Sequence, residues 1–134
     1  MPRFVILEHD FPALHWDFML EVSGMLRTWR LPQAPADAGE MVAEALGDHR
    51  LAYLDYEGPV SNNRGSVKRW DRGQYQAIGE PDAGRWRVQL TGERLAGVAE
   101  LRVVEGSRWL FLFQSAAVGV RTGGAVSTPG RPGG

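Results

Sequence analysis

Period-two alternation of apolar and polar residues dominates this chain, and that pattern commits it to strands with one face buried. In Arg85-Trp86-Arg87-Val88-Gln89-Leu90 the alternation is strict, with one face apolar and the other wet. Phe4 to Leu7 opens as a strand that places Val5, Leu7 and His9 on one face. Asp17–Val22 and Met25–Leu31 flank Ser23-Gly24, a two-residue hairpin signal. Ser66–Trp70, Arg85–Leu90, Ala96–Val104 and Trp109–Phe113 supply further strands. Pro32 and Pro35 interrupt pairing, because proline cannot donate to a ladder. Ala36–Leu46 reads as the one short helix, with Asp37 as its cap and Ala, Glu and Met behind it. Nothing repeats at a fixed period. The sum is a mainly β chain: a compact antiparallel β-barrel with one short helix.

The 134 residues suit one domain, placed at residues 1–114. From Ser115 the composition turns to Gly, Ala, Ser, Thr and Pro, so residues 115–134 read as a flexible, disordered C-terminal tail. Cysteine is absent, which excludes disulfides, thiolate metal sites and a cysteine nucleophile. No apolar run approaches the roughly 20 residues of a membrane helix. The opening MPRFVILEHD carries charge where a signal peptide needs an apolar core, so a cytoplasmic, non-membrane protein is expected. Net charge is −1 but uneven. Residues 1–62 hold four arginines against ten acids, and residues 63–134 hold eleven basic groups against six acids. With a balance so near zero, contact with nucleic acid has to be local.

His9, His15 and His49 all fall within the first 50 residues. His15 and Asp17, at i and i+2 on a strand, share a face. His9 lies on the preceding strand, and Pro12 lets the chain fold back between them. Two histidines and an aspartate form a three-ligand metal set with open positions. The same pattern with Glu8, Asp10 and Glu21 nearby also describes a solvated strand edge, and spacing alone does not separate the two. His49, four residues before Tyr53, is a candidate fourth contributor. Trp16 alternates with the ligands and faces a packing layer, while Trp29, Trp70, Trp86 and Trp109 read as core. Arg27, Arg30, Arg69 and Arg72 are candidates for contacts to a nucleic-acid backbone.

The segment from Glu8 to Glu21, EHDFPALHWDFMLE, resembles the opening signature of the 3′-phosphoesterase domain of bacterial DNA ligase D. Leu26-Arg27-Thr28-Trp29, Pro32-Gln33-Ala34-Pro35, Asp48 to Tyr53, Tyr56-Glu57-Gly58, Trp70 to Gly73, Leu90 to Gly97 and Trp109-Leu110 follow in family order. The likeness runs from about residue 3 to 113, without ligase or polymerase modules. It implies a stand-alone β-barrel that uses Mn²⁺ or another divalent metal. Such a barrel removes a 3′-terminal ribonucleoside and then the 3′-phosphate from DNA or RNA/DNA 3′ ends. The metal ligands would be His9, His15 and Asp17; His49 would contact the phosphate beside Tyr53, both catalytic. A DNA ligase or polymerase acting in trans is an implied partner.

Two family cations are missing: Met19 stands where the family has a phosphate-gripping arginine, and Gln33 where it has a catalytic lysine. Loss of one such donor typically costs about 10²–10³ in rate. Arg64, on an Asn/Gly loop, is a candidate replacement, and Glu21 a candidate substrate contact. Three readings follow: a metal-dependent 3′-end phosphoesterase, a non-catalytic module that binds ends or a repair partner, and an Fe(II) oxygenase. The oxygenase requires His49, not His9, to complete the ligand set.

Overall fold

The computed structural model describes residues 1–35 and 38–116. Nine strands follow in chain order: β1 Arg3–His9, β2 His15–Val22, β3 Met25–Leu31, β4 Ala38–His49, β5 Gly58–Pro59, β6 Ser66–Ala77, β7 Arg85–Gly92, β8 Ala96–Glu105 and β9 Arg108–Ser115. They pair in the order β1-β2-β3-β4-β9-β8-β7-β6, and β6 returns to β1, so eight antiparallel strands close a barrel. Closure removes the exposed edges that an open sheet would leave. β5 is a two-residue addition to the start of β6. Among the described residues no helix is long and apolar enough to cross a membrane.

Alternation gives the barrel two cores. Phe4, Ile6, Phe18, Leu20, Trp29 and Phe111 point inward and fill the interior. Phe18 meets Phe111 edge-on at 5.4 Å, and Trp29 meets Trp109 at 5.5 Å, both geometries that favour aromatic pairs. Trp16, Trp70 and Trp86 are partly buried against the same cluster. The intervening residues Val5, Leu7, Met19 and Leu26 face outward, yet they too are buried. Leu54, Tyr53 and Val60, from the segment between β4 and β6, cover them. The chemistry-bearing face of β1 and β2 is therefore the outer face, beside this second core.

The helix expected over Ala36–Leu46 is not formed; from Ala38 the chain is strand β4 as far as His49. Helix propensity is worth only tenths of a kcal/mol per residue, and here pairing on both sides overrides it. Ala43 pairs with Trp109 and is buried, and its small side chain leaves room for the tryptophans. The only helical turn among the described residues is a 3-10 turn at Leu51–Leu54. β9 reaches Ser115, and the expected tail beyond Ala116 lies outside the described residues.

Candidate metal centre

β1 and β2 form a hairpin whose register sets His9 directly opposite His15 at its open end. Asp17, two residues along β2, faces the same way. His15 Nε2 lies 3.3 Å from Asp17 Oδ1, and His9 Nδ1 lies 3.7 Å from Asp17 Oδ2. One ligand atom from each of the three falls within 4.8 Å of the others. His15 and Asp17 are buried, and His9 is half-buried.

The far side of each imidazole is held by the backbone. His15 Nδ1–H donates to the Ala13 carbonyl at 2.8 Å, and His9 Nε2–H donates to the Arg64 carbonyl at 2.8 Å. A carbonyl can only accept, so both tautomers are fixed with lone pairs on His9 Nδ1 and His15 Nε2. Those lone pairs point at the Asp17 carboxylate. His15 Nε2 and Asp17 Oδ1 are buried without a hydrogen-bond partner, their contact being misaligned for one. A buried polar atom left unpaired costs about 1–3 kcal/mol, so two together point to a missing third party. Two imidazoles and a carboxylate are the donor set of Mn²⁺, Fe²⁺ or Zn²⁺, and the residues fit such an ion.

Burial acts to lower the His15 pKa, but Asp17 and the Ala13 carbonyl outweigh it, and the imidazole is raised above its ordinary value. The sign has two consequences. Without metal, His15 contributes stability that is present below the unfolded pKa and lost as pH rises through the raised folded value. Metal needs the neutral ring, so Mn²⁺ affinity moves oppositely and strengthens over that interval. Thermal unfolding with and without Mn²⁺ from pH 6 to 8.5 should show a stabilising increment that widens with pH.

The Arg64 carbonyl is delivered by a tight loop. Asn62 and Asn63 adopt positive φ of 63° and 55°, and Gly65 φ of 73°. Val60 N–H donates to the Gly65 carbonyl at 2.8 Å, and Ser66 N–H donates to Asp10 Oδ1 at 2.8 Å. A Cβ on Gly65 would overlap Asp10 Oδ1 and come within 2.7 Å of Phe11 Cβ. Gly65→Ala should therefore displace the carbonyl and weaken Mn²⁺ binding by about 10–100-fold, the usual cost of losing a ligand's outer partner. Isothermal titration with Mn²⁺ reads this directly, and an unchanged affinity would remove the loop from the site.

The remaining candidates stand elsewhere. The Arg64 guanidinium turns back to Ser61, donating to its carbonyl at 2.8 Å and its hydroxyl at 3.1 Å. Glu21 accepts the Arg3 N–H at 2.9 Å. His49 pairs with Leu26, which pairs with Glu21, so it lies level with a residue four beyond Asp17. That offset is roughly 13 Å along the strand. His49 and Tyr53 meet each other, ring centres 5.9 Å apart. Between them and the trio lies Met19, 1% exposed under Leu54 and its neighbours, so this stretch of the outer face is apolar. Gln33 is exposed on the segment after β3. The four arginines proposed for backbone contact do not form one stripe. Arg27 lies over the Trp29 and Trp109 rings, Arg69 faces Glu57, Arg72 faces Glu93, and Arg30 faces Glu44. Of these only Arg30 reaches the trio's surroundings, since it pairs with Asp17 across β2 and β3 and its charge acts against protonation of His15.

The sequence model of the family described as the DNA ligase D 3′-phosphoesterase domain matches residues 7–102. The multifunctional non-homologous end joining protein LigD of Pseudomonas aeruginosa is 35% identical over 104 residues, 71% of this chain and 12% of that protein. The multifunctional non-homologous end joining DNA repair protein LigD of Mycobacterium tuberculosis is 35% identical over 115 residues, covering 80% of this chain and 15% of its own length. The LigD of Mycolicibacterium smegmatis is 30% identical over 123 residues, 81% of this chain and 16% of that protein. The matched region is thus a small part of each relative.

Proposed function

We propose, since the chain belongs to the DNA ligase D 3′-phosphoesterase domain family, that it is a metal-dependent phosphoesterase healing DNA 3′ ends in end joining. It would remove a 3′-terminal ribonucleoside and the 3′-phosphate to leave a 3′-OH. The observation that carries this reading is the pair of buried, unpartnered ligand atoms on His15 and Asp17, aimed at the point that His9 also faces.

His9 Nδ1, His15 Nε2 and an Asp17 oxygen would hold the ion, Mn²⁺ or a similar divalent cation. Such an ion, when bound, neutralises charge on phosphate oxygens and activates water. The chain's own contribution is to orient both imidazoles through the Ala13 and Arg64 carbonyls, which turns His15 Nε2 and His9 Nδ1 toward the ion. The Asp17 carboxylate between them would balance part of the cation's charge. His49 and Tyr53 would act on the leaving side of a strand long enough to span from the trio to them. A protein working on chromosomal ends would act in the cytoplasm, with a ligase or polymerase in trans.

A second reading, a module that binds ends without turnover, is favoured by one specific observation. Met19 is sealed beneath the second core where the family carries an arginine. The oxygenase reading has lost its support, because the converging set is completed by His9. A primer–template with a 3′-phosphate or a single 3′-ribonucleotide, incubated with Mn²⁺ or chelator, separates the first two. Metal-dependent appearance of an extendable 3′-OH supports the enzyme. End binding without any turnover supports the module.

A further inference from the structure

We propose that Arg30 is the cation that grips the terminal phosphate in this chain, taking over from the absent charges at positions 19 and 33, and that the groove beside it seats the terminal nucleoside. This rests on the end-healing reading and adds the residues that would recognise the substrate.

Three observations converge. Arg30 is the cross-strand neighbour of Asp17, on the face where the trio stands. Its Nε is buried with no hydrogen-bond partner. Its charged contact among the described residues is long, 3.7 Å from Nη1 to Glu44 Oε1, with both side chains partly open to water. A guanidinium donates best through two parallel N–H groups to an anionic oxygen pair, and here neither is well used. A phosphate held at the trio would present such oxygens.

A groove of about 550 Å³ beside the trio is lined by His15, Arg30, Leu14, Val42, Glu44 and Arg108, with Glu44 between the two arginines in one cross-strand row. Leu14 and Val42, both 53% exposed, form its apolar walls. Apolar walls beside two arginines suit a nucleoside: a flat, weakly polar ring system attached to phosphate. In the other direction the outer face over Met19 is apolar as far as Glu21, His49 and Tyr53, so no cation stands there next to the trio. The terminal phosphate and nucleoside should therefore lie on the side of β4 and β9, with the rest of the strand free to run over Met19 toward His49 and Tyr53.

Binding tests this without turnover. The probes are a DNA strand ending in a 3′-methylenephosphonate, which resists hydrolysis, and the matching 3′-hydroxyl strand, each with Mn²⁺ present. Wild type should prefer the phosphonate end. Arg30→Met should cut that preference about tenfold, the scale of one charge-assisted contact. Mn²⁺ affinity, read separately by electron paramagnetic resonance, should not weaken, which a misfolded variant could not achieve. Glu44→Gln, at an exposed carboxylate, frees the guanidinium and should raise the preference about threefold, an effect no structural role for Arg30 would give. Full preference retained in Arg30→Met, or no gain in Glu44→Gln, overturns the assignment while leaving the end-healing reading standing. Wild type that binds Mn²⁺ yet treats both ends alike overturns that reading and this proposal together.

Discussion

Asp17→Asn should remove tight Mn²⁺ binding while leaving the metal-free protein as stable as before. The carboxylate is the anion of the trio, and both histidine lone pairs face it. Loss of an outer partner already costs about 10–100-fold in metal affinity, so loss of the charged ligand should cost more than about 100-fold. The readout is thermal. At 100 times its dissociation constant a ligand stabilises the folded state by about 2.7 kcal/mol. For a domain of this size that is an upward shift of roughly 8–15 °C in Tm. Wild type should show the shift and Asp17→Asn should show almost none at the same Mn²⁺ concentration. Above the raised His15 pKa, the Asn variant should hold its metal-free Tm or gain a little. It replaces a buried carboxylate, one oxygen of which has no hydrogen bond, by a neutral amide. An equal shift in both proteins would mean that the ion binds elsewhere.

Asp71→Ala should produce the largest loss of stability from one substitution. Asp71 is 2% exposed, and its carboxylate accepts from the Arg72, Arg94 and Leu95 N–H groups, each at 2.8 Å. It ties the turn between β7 and β8 to β6, next to the crossing where Gly92 approaches it closely. Truncation leaves three N–H groups without their acceptor and opens a cavity beneath them. Hydrogen bonds to charged groups contribute about 1.5–3 kcal/mol each, and the bonds are not additive, so a loss of about 3–5 kcal/mol is expected. Against a total of about 5–15 kcal/mol this would unfold a large fraction of the protein on mild warming. Glu93→Gln, which breaks only the exposed pair with Arg72, should cost less than about 1 kcal/mol. Urea titration of the metal-free proteins compares the two. A loss below about 1 kcal/mol for Asp71→Ala would show that water replaces the carboxylate and that the turn is not anchored through it.

The barrel was legible wherever alternation was strict. β2, β3, β7 and the β8–β9 pair lie where the period-two runs place them, and the Ser23-Gly24 turn joins β2 to β3. β4 was not, because its alternate positions carry Ala and Gly as well as Met and Val, and that composition favours helix until two neighbours pair with it. β6 runs on to Ala77, beyond Trp70, through a glycine that resembles a break in sequence. In the fold Gly73 is a crossing point, where a Cβ would come within 2.7 Å of the Gly92 backbone.

The trio shows the same division. His15-x-Asp17 on one face follows from the strand period, and His9 opposite follows once the hairpin register is known. The Ala13 and Arg64 carbonyls could not be read at all, since any residue carries one and only the fold says where it points. Arg30 was visible only as one of four similar arginines. Its pairing with Asp17 singles it out, and pairing is a tertiary fact.

The metal site is tested most directly by diffraction from crystals grown with Mn²⁺, collected at the manganese absorption edge. One strong anomalous peak is expected, bonded to His9 Nδ1, His15 Nε2 and an Asp17 oxygen at about 2.0–2.2 Å. Positions facing the Arg30 groove should be left for phosphate and water. A saturated crystal with no peak between these three residues, or with manganese held by other side chains, would contradict this metal site.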